Sequence, residues 1–120
     1  MPGPTSILEK AMRADGAVAE YTIVKKGTAE DDAAKAVAAT DKAFGIAQHA
    51  AADNERVNVM LMGISKVLYG GTVEQGDLLT SNATGAAIAT VTASNRIIGV
   101  AMAGGVSGDI GAVLINPGSV

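Results

Sequence analysis

Val57-Asn58-Val59-Met60-Leu61-Met62-Gly63-Ile64-Ser65-Lys66-Val67-Leu68-Tyr69 is the stretch on which the reading of this chain turns. Its first part, Val57 to Met62, is β-prone, and it continues past Gly63 into a second β-prone part that Gly70-Gly71 ends. Side chains alternate across a strand, so Val59 and Leu61 point one way while Met60 and Met62 point the other. Both faces of this strand are apolar. A thin β barrel has one inside, so the second face needs a cover, either from the chain's own 30–40 loop or N-terminal segment or from another subunit.

Similar short runs flank it, each broken by Gly, Asn or Asp. They are Tyr21-Thr22-Ile23-Val24, Phe44 to Gln48, Leu78-Leu79-Thr80, Ala86 to Thr92, Ile97 to Met102 and Ile110 to Ile115. Spacing of this kind predicts an all-β sandwich or small barrel. Glu30 to Ala39 has good helix propensity, yet Lys35 to Thr40 reads as a strand because of an internal repeat. Phe44-Gly45-Ile46-Ala47 parallels Ile98-Gly99-Val100-Ala101, and Val59-Met60-Leu61 parallels Val113-Leu114-Ile115, both at an offset of 54. Val18 with Ile23-Val24 parallels Val73 with Leu78-Leu79 at 55, and Ala36 to Ala39 parallels Ala87 to Thr90 at 51. The halves run over residues 18–63 and 73–116, as two half-barrels closed into one domain. Gly45 and Gly99 interrupt apolar runs, which predicts a bulge or a close backbone approach at each.

Residues 1–17 differ from the body at 18–120. Pro2, Gly3 and Pro4 disfavour regular structure, and Ser6-Ile7-Leu8-Glu9 fits a helix capping box with Leu8, Ala11 and Met12 on one face. Eight residues make a marginal helix alone. The segment reads as a flexible tail or as an arm that orders on a partner.

Composition narrows the function. The hydrophobic fraction of 48% excludes a disordered chain. It overstates the core, because 23 Ala and 15 Gly, 38 of 120 residues, carry a methyl group or nothing, beside one Phe, two Tyr and no Trp. Large side chains supply most burial energy, roughly 1.5–3 kcal/mol each. A chain in this position gains by burying surface in an oligomer. Met60, Met62, Ile64, Val67 and Leu68 are the expected interface residues. A net charge of −3 without a basic run, and an aromatic fraction of 2%, argue against nucleic acid. No apolar run reaches the roughly 20 residues of a membrane span, and the start lacks signal-peptide character. A soluble protein made in the cytoplasm is expected.

Chemistry is hard to find. There is no Cys and one His, His49, in a loop with no nucleophile motif beside it. Asp31-Asp32 and Asp53-Asn54-Glu55 do not follow calcium-loop spacing. Gly104 to Asp109 lacks the Lys-Ser/Thr ending of a phosphate loop and precedes a strand, so it reads as a hairpin connection. No catalytic residue, metal, cofactor or small-molecule substrate is expected.

Val37 to Ala47, Asp53 to Gly63, Gly70 to Leu79 and Ile98 to Ala101 together resemble the small capsid decoration proteins of tailed phages, of the lambda-type head-stabilising kind. The resemblance spans about residues 18–116. It implies a compact β domain, often trimeric, on the capsid exterior, with an N-terminal arm reaching the major capsid protein. Pro2, Pro4, Ile7, Leu8 and Met12 are then the arm's contact candidates. The implied role is a structural cement in the virion. The alternative is a small binding or display module, with loops 48–56 and 103–109 holding the ligand.

Overall fold

The computed structural model describes residues 5–120. The chain forms nine strands among these residues: β1 Thr5–Ala14, β2 Ile23–Lys26, β3 Asp32–Lys35, β4 Ala43–Ala47, β5 Arg56–Leu68, β6 Leu78–Ser81, β7 Ala87–Ala89, β8 Arg96–Ala101 and β9 Ile110–Ser119. They run in one sheet in the order β1-β3-β2-β4-β5-β9-β8-β6-β7. An additional β1–β5 pairing closes the first five into a barrel.

The pairing registers recur along the chain. Ile46 faces Met60 across β4–β5, and Val100 faces Leu114 across β8–β9. Ile23 faces Ile46, and Leu78 faces Val100. Val24 faces Lys35, and Leu79 faces Ala89. Every pair moves by 54 or 55 residues. The same shift carries Lys10, Met12 and Arg13 of β1, opposite Val59, Val57 and Arg56, onto Ser65, Val67 and Leu68, opposite Val113, Gly111 and Ile110. The C-terminal half of β5 is therefore the counterpart of β1. The parallel contact between β1 and β3 at Ala14 and Ala33 also has its counterpart, a bridge between Tyr69 and Ala87. Two five-stranded circuits result, and β5 belongs to both.

Each circuit has its own core. Met12, Ala14, Val18, Val24, Ala33, Ala47, Ala51, Val57 and Val59 fill the first, with Phe44 and Leu61 packed at its margin. Val67, Tyr69, Val73, Leu79, Ala87, Ala101, Val113, Ile98 and Ile115 fill the second. The two interiors reach the same packing by opposite choices of size. Where the first uses Ala14 and Val57, the second uses Tyr69 and Gly111, and a Cβ on Gly111 would lie 2.0 Å from Tyr69 Cζ. The Tyr69 hydroxyl donates to Ala103 O at 2.5 Å, which satisfies the one polar atom it carries into the core. Burial pushes the phenol pKa up.

Gly45 and Gly99 mark close approaches in both circuits. A Cβ at Gly45 would lie 2.6 Å from Met60 O, and one at Gly99 would lie 2.0 Å from Leu114 O. A side chain there would push β4 from β5, or β8 from β9.

Two local expectations are corrected. Ser6 to Met12 is strand, not helix. An isolated two-turn helix is marginal, whereas the extended segment gains a ladder along β5 and buries Met12 and Ala14. The strand expected at Lys35 to Thr40 sits earlier, at Asp32–Lys35, so its true offset from β7 is 54 rather than 51. Asp41 ends it by accepting the Val37 and Ala38 N–H groups at 2.8 and 3.1 Å, which folds the chain into a turn. Burial opposes the charged Asp41 carboxylate. Those two donors and Lys25, 3.3 Å away, outweigh it and hold the pKa below the usual range.

Candidate interaction surfaces

The seam between β1 and β3 in the first barrel is only two residue pairs long, and ion pairs support it. Arg13 grips Asp32 with two bonds, Nε to Oδ1 at 2.9 Å and Nη2 to Oδ2 at 3.0 Å. Ala29 N–H adds a third bond to the same carboxylate at 3.2 Å. The fork geometry is the strong form of the pair. Hydrogen bonding from Arg13 holds the Asp32 carboxyl well below the usual carboxylate range, and Asp32 in turn raises the arginine. Lys10 reaches Asp31 at 3.0 Å, an exposed pair of little weight.

Beyond Arg13 and Ala14, the outer edge of β1 has no strand beside it among the described residues. The strand pairs with β5 on its other edge, through register shifts on either side of Leu8. An unpaired strand edge is a template for another chain. Leu8 and Met62, opposite one another, are 46% and 51% exposed. Nearby, Lys10, Ala11, Met12, Arg13, Asp31, Asn54 and Arg56 line an open cleft of about 530 Å³. Arg56 stands directly opposite Arg13 on β5, and like charges so placed repel.

The other expected contact residues fall into three groups. Pro2 and Pro4 lie outside the described residues, and Ile7 lies within β1. Met12, Met60 and Val67 are buried in the fold. Met12 and Val67 are interior positions of the two barrels, whereas Met60 is on the outside of the first barrel and is covered by the second. Ile64 and Leu68 are half-buried on the outer face of the second barrel, opposite Leu114 and Ile110. These last two are 41% and 46% exposed, and sequence reasoning missed them as surface residues because β9 reads as one apolar run.

His49 is bound into its loop. Asn58 N–H donates to Nε2 at 3.1 Å, so that nitrogen accepts, and Nδ1–H points to Ala50 O at 3.0 Å. Among the described residues there is no group of three or more His, Cys, Asp or Glu side chains able to hold a metal. The hairpin expected at Gly104 to Asp109 is present, pinned by Asp109 accepting Val106 N–H at 3.0 Å. Its counterpart has Glu55 accepting Ala52 N–H.

These features define an all-β structural scaffold of two paired barrels, with a strand edge unpaired among the described residues and apolar outer rows. The phage cement protein family matches residues 5–116, and the chain belongs to that family. Its role is capsid decoration, and its place is the virion head. No curated protein matches significantly. The crystal structure of the head fiber gp8.5 N base in bacteriophage phi29 is similar, with a TM-score of 0.73 at 20% identity, covering 91% of this chain and 93% of that one. At that identity the likeness speaks for the fold.

Proposed function

We propose that this chain binds the outside of the head across neighbouring subunits of the major capsid protein, as a homotrimer, and braces the expanded shell against internal pressure. The family match over residues 5–116 carries the reading. The contact we assign to the capsid is the segment from Pro2 through Leu8 together with the free edge of β1. A capsid strand adds to that edge by main-chain hydrogen bonds, the Leu8–Met62 pair supplies an apolar anchor, and Arg56 meets an acidic side chain. The work is done by binding, without turnover. Many copies acting together resist pressure even where each contact is modest. A site that becomes complementary only in the expanded lattice stabilises that lattice by mass action.

The test mixes purified protein with undecorated expanded capsids and with their unexpanded precursors, then measures co-sedimentation and capsid melting. The expected result is binding to expanded capsids with a raised melting temperature. Failure to bind either form refutes the cement reading and favours the display module. Equal binding to both removes the selectivity for the expanded shell.

A further inference from the structure

The repeat makes the two barrels comparable residue by residue, and the comparison exposes an asymmetry. On the first barrel, Ile23, Ile46 and Met60 form a cross-strand row over β2, β4 and β5. They lie outside that barrel, yet all three are fully buried, because they pack into the second core where β4 lies against β8 and β9. The counterparts on the second barrel are Leu78, Val100 and Leu114, again a continuous cross-strand row, extended by Ile64. All are large and apolar, but Leu78, Val100 and Ile64 are only half-buried and Leu114 is exposed.

The receiving side shows the reverse. Ile98 and Ile115 of the second barrel belong to the core that takes in the first barrel's row, and both are buried. Their counterparts on the first barrel, Phe44 and Leu61, pack only at the margin of their own core and stay partly exposed. The chain thus carries one occupied junction and, at its two ends, an unoccupied copy of each half of that junction.

We infer that a second copy of this chain covers the Leu78-Val100-Leu114 row by presenting its Phe44-Leu61 side, so that the contact between chains repeats the contact within one. The inference rests on the self-association in the reading above and assigns the faces that perform it. The contact is head-to-tail, and such a contact closes into a ring when its rotation allows. Three copies place six barrels in one circuit.

Light scattering behind size exclusion tests this, loaded at about 1 mM, far above the dissociation constant of a micromolar contact, so that such a contact is nearly fully formed. Wild type is expected at about 36 kDa, three times 11.9 kDa. Leu114→Glu removes one face and Leu61→Glu the other, and each alone is expected near 11.9 kDa with an unchanged far-ultraviolet spectrum. Mixed one to one, they restore a single junction and run near 24 kDa, twice 11.9 kDa, and no larger. If Leu61→Glu fails to fold, Phe44→Gln takes its place, and the Leu114→Glu result stands alone. Monomeric wild type, either variant at the wild-type mass, or a mixture that stays monomeric overturns the inference. Capsid co-sedimentation is scored separately: a monomer that binds capsids refutes this interface alone, and an assembly that ignores capsids refutes the capsid reading alone.

Discussion

Tyr69→Ala is the most informative change to the fold. The side chain is 1% exposed and fills the second barrel over Gly111 and Gly105. Truncating a large buried aromatic costs roughly 3–5 kcal/mol, a large share of the 5–15 kcal/mol that holds a domain together. Gly111→Val alone is also harmful, because its first carbon would sit on the Tyr69 ring, and overpacking typically costs about 1–3 kcal/mol. The two changes together install the first barrel's own solution, Ala14 beside Val57, at the matching positions of the second. The double variant is therefore expected to be more stable than the sum of the two losses, by roughly 1–3 kcal/mol of coupling. Urea unfolding of the four proteins, followed by circular dichroism, gives the cycle directly. Strict additivity would refute the claim that the barrels are alternative packings of one design.

Three further outcomes are expected. Gly99→Ala and Gly45→Ala should each lower the melting temperature sharply through backbone contact, whereas Gly71→Ala, with Ile88 Cγ2 at 3.7 Å, should leave it nearly unchanged in the same scan. Asp32 has a depressed pKa, so its contribution is full above its unfolded value, about 4, and is lost as pH falls through the folded value. Wild type should therefore lose stability in acid, while Asp32→Asn should already be weaker at pH 6 and lose less below it, as melting curves across pH will show. Leu8→Glu should leave melting unchanged and weaken capsid binding by about tenfold or more, as expected for an exposed anchor in an interface, measured by co-sedimentation.

Much of the fold is legible in local patterns. The strands at Phe44–Ala47, Val57–Leu68, Leu78–Thr80, Ile97–Ala101 and Ile110–Ile115 are apolar runs bounded by Gly and Asp, and the structure keeps them. β1 is not legible that way. Ser6 and Glu9 imitate a cap, and Leu8, Ala11 and Met12 imitate a helical face. What makes the segment a strand is a ladder to residues about 50 positions away. A signal existed in the offset of 55, which sets Met12 on Val67 and Asp15-Gly16 on Gly70-Gly71. The surfaces were harder. Met60 looks available because both faces of its strand are apolar, and only the packing of one barrel on the other removes it from solvent.

β5 has a mechanical consequence. It is the last strand of one barrel and the first of the next, with no linker between. Thirteen residues span twelve steps of about 3.3 Å, roughly 40 Å, so a single strand runs the length of both barrels. Gly63, at φ 115°, lies at the passage from the half of the strand paired with β1 to the half paired with β9. A load applied to either barrel passes along one continuous main chain, hydrogen-bonded to β1 and β4 in its first half and to β9 in its second. The two barrels share a strand in place of a linker, so a load on one reaches the other through that strand's own ladders.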